Sequence, residues 1–130
     1  MTSNPLIACI DDNREVCDAI AGFLKALGFR AEIFSSAEEF LQSNLLEQTS
    51  CLITDIKLPG ISGLQLIGQL ARSSRRVPTI VITAHGDIGV RERCESAGAV
   101  AFLLKPLQDT ALFAAIDLAR KAASSREPSD

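Results

Sequence analysis

Two alternating sequence patterns predict an α/β fold. Five short apolar segments, rich in Ile, Val, Leu and Phe, have the length and composition of strands buried on both faces. They are LIACI (6–10), AEIF (31–34), CLIT (51–54), TIVIT (79–83) and VAFLL (100–104). A helical pattern follows each of them, and a strand–helix repeat builds a parallel sheet covered on both faces. Five such units predict a flavodoxin-like doubly wound (βα)5 fold, a five-stranded parallel sheet in the order 2-1-3-4-5.

Apolar residues spaced three or four apart predict the helices between these segments. Clear stripes lie at residues 16–27, 64–70 and 107–121. In the last stripe we expect Leu112, Phe113, Ile116 and Ala119 to face inward, whereas Leu118 falls off the stripe. A capping box formed by Ser36 and Glu39 predicts the start of the second helix. The stripe at residues 87–97 is weaker and contains Gly89, so we predict a weaker fourth helix there.

Length and composition indicate a single domain. A chain of 130 residues can bury a real core without cross-links. We predict that the domain spans residues 1–121, with 122–130 a polar tail or the start of a linker. A net charge of −3 gives no reason to expect affinity for nucleic acid or membranes. No apolar run approaches the roughly 20 residues of a membrane span, and the first residues lack a signal-peptide pattern. We therefore expect a cytoplasmic protein.

The cysteines carry no evident chemistry. Cys9, Cys17, Cys51 and Cys94 match no zinc-binding spacing and form no CxxC pair. Most of them lie in apolar surroundings. We expect reduced thiols that are mostly buried, as is usual in a cytoplasmic chain.

Polar residues follow the predicted strands at the points where the strands end. Asp11 and Asp12 follow the first strand, Asp55 the third, Thr83 closes the fourth, and Lys105 follows the fifth. Ligands of open α/β sheets bind outside the carboxyl ends of the strands, where the strand order reverses. We therefore expect these side chains to lie close together at one edge of the sheet.

This set of residues predicts a site that handles a phosphoryl group. Carboxylates that lie so close repel one another unless a cation sits among them, and an all-oxygen ligand set suits Mg²⁺. Lys105 and the hydroxyl of Thr83 supply hydrogen-bond donors on the other side. Asp55 then has the position of a nucleophile. Taken singly, Asp11–Asp12 would be read as the acidic start of a helix and Asp55 as a turn residue.

The four motifs together resemble the receiver domain of two-component response regulators, over residues 5–121. They are the acidic pair DD (11–12), TDIKLPGISG (54–63), VITAHG (81–86) and FLLKP (102–106). All four occur in order, each at a predicted strand end. The variants TDIKLPG and TAHGD are most similar to the nitrogen-fixation and nodulation regulator branch.

The resemblance implies a role for each residue of the site. Asp55 would accept a phosphoryl group from a phosphohistidine of a sensor histidine kinase. Mg²⁺, or Mn²⁺, would be held by Asp11, Asp12, Asp55 and the backbone carbonyl of Lys57. Lys105 would pair with the phosphoryl oxygens, and its bond to Pro106 is a candidate cis peptide. The small Ala84 would leave access for the phosphate, while Lys57 and His85 would flank the entrance.

The resemblance also implies that the domain acts as a phosphorylation-dependent switch and not as an enzyme that turns over a separate substrate. Thr83 and Phe102 would respond to phosphorylation. The domain itself would catalyse, with Mg²⁺, both its own phosphorylation and its own dephosphorylation. The face formed by helix 4, strand 5 and helix 5 would then form a homodimer. Transcription would be controlled through a separate DNA-binding domain, with no nucleic-acid or membrane contact in this segment. The alternative is a stand-alone receiver acting through protein contacts or as a phosphate shuttle, and Phe102 could also be plain core.

Two other classes fit the sequence poorly. A dehalogenase-like phosphatase needs a second Asp two residues after the nucleophile, where this chain has Lys57, and it needs room for a cap domain. A flavodoxin-like electron carrier needs a Ser-, Thr- and Gly-rich loop after the first strand, where DDNRE would repel phosphate. The chain also has no Trp or Tyr to stack on a flavin. A degenerate receiver finds no support, because every required position is filled.

Overall fold

A computed structural model of the chain describes residues 4–73, 77–84, 86 and 88–125. Within these ranges, strands and α-helices alternate along the chain. The strands are β1 (Leu6–Ile10), β2 (Arg30–Phe34), β3 (Thr49–Asp55), β4 (Thr79–Thr83) and β5 (Ala101–Leu104). The helices are α1 (Arg14–Ala26), α2 (Ala37–Gln42), α3 (Gly63–Arg72), α4 (Ile88–Ala97) and α5 (Asp109–Ser125), and a short 3-10 helix (Leu46–Gln48) precedes β3.

The strands form one parallel sheet in the order β2-β1-β3-β4-β5, as the sequence predicts. The order reverses between β1 and β3, so the crevice for a ligand opens there. β3 begins two residues before the predicted apolar run. The polar Thr49 that opens it is buried, because its hydroxyl donates a 2.7 Å hydrogen bond to the carbonyl of Leu45.

Helices cover both faces of the sheet, and the hydrophobic clusters beneath them differ in size. One large cluster lies between the sheet and α1 and α5, and another lies beneath α2 and α3. The third lies beneath α4 and is small: its buried members are Ile67, Val81 and Cys94, with Phe102 partly buried against them. Cys94 is the buried residue that α4 contributes. Few buried contacts mean low local stability, which agrees with the weak helix predicted there.

The prediction that four residues of α5 face the core is wrong for one of them. Leu112, Ile116 and Ala119 are buried, but Phe113 is 52% exposed. Positions three and four apart share one face of a helix, and a residue that directly follows a buried one is rotated by about 100°. Ala115 occupies the inward position instead. Leu118, which falls off the stripe, is exposed.

The cysteines and the carboxyl-terminal segment complete the description. All four cysteines are free and buried, as predicted. α5 runs to Ser125, so its last turn includes part of the segment 122–130 that we assign to a tail or linker; that assignment stays a prediction. None of the described helices is long and apolar enough to cross a membrane.

Candidate functional site

Three carboxylates meet where β1 and β3 end. Ile10 of β1 is paired with Thr54 of β3, so the residues that follow, Asp11 and Asp55, lie side by side. Asp11 is 2% exposed and Asp55 7% exposed, whereas Asp12 is open to solvent. One carboxylate oxygen from each of the three acids lies within 4.8 Å of the others. The predicted proximity of the acids is thus confirmed, and two of them are nearly inaccessible.

Lys105 places its ammonium between the two buried acids. Its Nζ lies 2.7 Å from Asp11 Oδ2 and donates a hydrogen bond of 2.9 Å to Asp55 Oδ2. Burial alone would lower the pKa of the lysine, but the hydrogen bonds and charges of Asp11 and Asp55 outweigh it and raise that pKa. The peptide bond from Lys105 to Pro106 is cis. Lys105 is therefore held charged between the acids.

The oxygen atoms of this cluster fit a hard divalent cation. Asp11 Oδ1 accepts a 2.9 Å hydrogen bond from the backbone N–H of Asn13. Asp11 Oδ2 is buried and lies 2.7 Å from the Lys105 ammonium. Three carboxylates against one ammonium leave an excess of negative charge. An all-oxygen set with one side open to water matches the coordination of Mg²⁺.

The connection from β3 to α3 is packed tightly against the end of β3. The backbone N–H of Lys57 donates a 3.3 Å hydrogen bond to Asp55 Oδ1, which places this residue's backbone beside the acids. Gly63 donates a 2.8 Å hydrogen bond to the carbonyl of Ile56. A Cβ on Gly63 would overlap the carbonyl oxygen of Asp55, so the first residue of α3 has to be glycine. The backbone around Asp55 is thereby fixed.

Glu38 is a supporting residue that sequence reasoning missed. Its Oε2 accepts a 2.9 Å hydrogen bond from the backbone N–H of Ile61, 23 residues further along the chain. A Cβ on Gly60, whose φ is +75°, would overlap the same carboxylate. Helix α2 therefore holds the β3–α3 connection through one partly buried acid. No sequence signal predicts this contact, because it is neither local nor periodic.

The remaining predicted residues lie on β4 and β5. Asp55 is paired with Ile82, so Thr83, 2% exposed, lies one residue further along the neighbouring strand. Ala84 is exposed at the same edge of the sheet. Phe102 is partly buried, two residues before the end of β5. His85, expected at the entrance, lies outside the described residues.

An apolar groove borders the site between α1 and α5. It encloses about 270 Å³, and Val16, Ile20 and Phe23 of α1 face Leu107 across it. Lys105 lines both this groove and the acidic site. The groove therefore adjoins the acidic site through Lys105.

A doubly wound domain with a carboxylate and lysine centre at its switch point corresponds to a known class of protein. The family described as the response regulator receiver domain matches residues 7–117. The chain therefore belongs to the receiver domain family of response regulators.

Its relatives confirm the predicted regulator branch. Nodulation protein W of Bradyrhizobium diazoefficiens is 36% identical over 115 residues, 88% of this chain and 51% of that protein. The transcriptional regulatory protein FixJ of Rhizobium meliloti is 36% identical over 110 residues, 85% of this chain and 54% of that protein. The FixJ-N crystal structure is 32% identical, has a TM-score of 0.80 and covers 100% of both chains. The chain spans about half the length of the curated relatives it matches.

Proposed function

We propose that Asp55 accepts a phosphoryl group from the phosphohistidine of a sensor histidine kinase. The observation that carries this proposal is the position of the carboxylate. Asp55 Oδ2 lies 2.9 Å from the Lys105 ammonium, beside two further acids, at the switch point of the sheet. The Lys105 ammonium and the fixed backbone around Asp55 hold this carboxylate in one direction, as a nucleophile needs for in-line attack on phosphorus.

The chemistry follows from the charges of the site. An oxygen of Asp55 attacks phosphorus while the phosphorus–nitrogen bond of the donor histidine breaks, and the histidine keeps the electron pair. The Lys105 ammonium, which pairs with Asp55 Oδ2 beforehand, then pairs with a phosphoryl oxygen. The exposed Ala84 leaves the approach open. With the phosphohistidine as donor, the domain thus promotes its own phosphorylation, and with water its own dephosphorylation.

The metal fits the same site. Asp11, Asp12, Asp55 and the backbone carbonyl of Lys57 would hold Mg²⁺, and Mn²⁺ would fit the same oxygen ligands. When bound, the ion neutralises charge on the phosphoryl oxygens. The excess of three carboxylates over the one ammonium that pairs with them supports this assignment.

The switch would run from the site to the face formed by α4, β5 and α5. Thr83 would donate a hydrogen bond to the new phosphoryl group, and the ring of Phe102 would turn inward behind it. Ile88 is 76% exposed and Leu104 54% exposed, so this face already offers apolar area to a partner. Its change of shape would then permit a homodimer to form.

The output would lie in a separate part of the protein. The curated relatives are about twice as long as the matched region, and FixJ is named a transcriptional regulatory protein. We infer that a DNA-binding domain outside this chain controls transcription. A cytoplasmic location, where a kinase would deliver the phosphoryl group, remains a prediction. The α1–α5 groove beside Lys105 would receive that kinase.

Intact mass after incubation with acetyl phosphate and Mg²⁺ tests this function. The parent should gain one phosphoryl group, and Asp55→Asn should gain none. Asp18→Asn is the matched control, because Asp18 lies in an exposed pair with Arg14, and it should behave as the parent does. Size exclusion of the same samples reports dimerisation. Modification of Asp55→Asn at the parental level would place the acceptor elsewhere and refute the proposal.

A further inference from the structure

Gly86 lies between β4 and α4, and neighbouring side chains occupy the space that a side chain on it would need. An ideal Cβ on it would lie 2.8 Å from Phe102 Cε1, 2.9 Å from Phe102 Cζ and 2.6 Å from Leu104 Cδ2. Side-chain carbons essentially never approach other atoms closer than 3.0 Å. With the Phe102 ring in this position, the packing therefore favours glycine at position 86.

The two neighbours differ in how easily they yield. Leu104 is 54% exposed, and the atom in question is the end of its side chain, which can rotate into solvent. Phe102 is a rigid ring partly buried against Ile67 and Val81, so it moves only by turning as a whole. The ring of Phe102 therefore decides whether a Cβ at position 86 is tolerated.

We propose that Gly86 is a positioning residue of the switch, because its empty side-chain site admits the Phe102 ring in its present position, which we take to be the resting, outward one. A methyl group at position 86 would oppose that position and favour the inward one. This inference rests on the proposed function, since it takes the inward ring to be the phosphorylated arrangement. It adds a residue that neither contacts the phosphoryl group nor belongs to the motif residues assigned a role.

The expected direction follows from a two-state equilibrium. A substitution that raises the free energy of one state shifts the population toward the other, and it raises the apparent affinity of any ligand that prefers the other. Beryllofluoride with Mg²⁺ mimics a phosphoryl group on a carboxylate and should prefer the inward state. We expect about a fivefold increase in its affinity for Gly86→Ala, the lower end of ordinary coupling between two sites.

Three variants test the inference by calorimetric titration with beryllofluoride and Mg²⁺. Gly86→Ala should bind more tightly than the parent. Gly22→Ala, in α1, is the matched control, because a Cβ there meets nothing within 4 Å, and its affinity should stay parental. In a Phe102→Ala background the effect of Gly86→Ala should vanish, since no ring remains to be displaced. An affinity of Gly86→Ala equal to or below that of the parent would overturn the inference.

A second measurement separates this inference from the proposed function. One α-hydrogen of Gly86 points at the Phe102 ring, so NMR of the parent should show a nuclear Overhauser effect between them and a ring-current shift of that hydrogen. Both should be lost in the beryllofluoride complex. In Gly86→Ala the methyl group takes the place of that hydrogen, and without ligand its Overhauser effect to the Phe102 ring should be weak, because the ring has turned away. If the parent binds no beryllofluoride, the proposed function fails, and the Overhauser effect decides this inference alone. Its absence in the parent, or a strong effect between the new methyl group of Gly86→Ala and the Phe102 ring, overturns it.

Discussion

Lys105 donates a hydrogen bond of 2.9 Å to Asp55, a residue fifty positions earlier in the chain. The same ammonium lies 2.7 Å from Asp11 Oδ2. One lysine thus pairs with two acids that are almost inaccessible to water. This arrangement makes Lys105 a structural part of the resting site as well as a group available to a phosphoryl oxygen.

Removal of the Lys105 charge should destabilise the protein when Mg²⁺ is absent. Lys105→Met leaves Asp11 and Asp55 buried without their cation. We expect a loss of about 2 kcal/mol in the free energy of unfolding, less than for a fully buried pair because solvent reaches the lysine. Urea unfolding at pH 7 with EDTA measures it. Lys121→Met removes an exposed pair with Asp117 and should change stability by less than about 0.5 kcal/mol. Equal effects of the two variants would contradict the prediction.

Mg²⁺ should stabilise the folded protein by mass action. At a metal concentration about 100 times the dissociation constant, the gain is about 2.7 kcal/mol. Thermal unfolding should therefore shift upward with Mg²⁺ in the parent and return to its original midpoint after chelation. The shift should be largely lost in Asp12→Asn and retained in Asp18→Asn, which changes an exposed acid of α1. A shift of parental size in Asp12→Asn would remove Asp12 from the metal site.

Glu38 should control the order of the β3–α3 connection. In Glu38→Ala the N–H of Ile61 loses its acceptor, and we expect a loss of about 1 kcal/mol in stability. Native-state hydrogen exchange of the Ile61 amide should become faster than in the parent, while exchange of the amides inside β3 should stay the same. Glu47→Ala, on an exposed side chain of the 3-10 helix, is the control and should leave that rate unchanged. An unchanged Ile61 rate in Glu38→Ala would show that α2 does not restrain the connection.

Cys51 should make stability fall at alkaline pH. Burial raises the pKa of its thiol from 9.0 to about 12. A folded-state pKa above the unfolded value contributes stability that is fully present below pH 9.0 and is lost as pH rises through about 12. Unfolding free energies of Cys51→Ala should therefore fall less steeply than those of the parent between these values. A thiol reagent at pH 8 should modify Cys51 in urea but not in the native protein, and parallel pH profiles would contradict the prediction.

The sequence predicts the sheet and the meeting of its acids because both follow from local patterns. The apolar runs identify the strands, and strands in parallel order bring their carboxyl ends to one edge. Asp11, Asp55 and Lys105 therefore meet as predicted. Their roles in phosphoryl transfer are not tested by the geometry and remain proposals.

Other features depend on contacts that no local pattern encodes. Glu38 and Ile61 meet across 23 residues, and Gly86 meets a ring on a neighbouring strand. The apolar stripe of α5 predicts that Phe113 faces inward with Leu112, but Phe113 is exposed. Such positions depend on how each helix packs against the sheet. Apolar periodicity predicts the orientation of a helix only to within one residue.

The sparse attachment of α4 has a consequence for how such proteins diversify. This helix contributes Cys94 to the buried core, whereas its other described side chains are exposed or only partly covered. Substitutions along its outer surface therefore disturb little of what keeps the domain folded. If the proposed homodimer forms through the α4 face, duplicated copies of such a gene can change their partner there with little cost in stability, while the acids at the ends of β1 and β3 stay the same. Insulation between parallel signalling systems would then evolve at α4 rather than at the phosphoryl site.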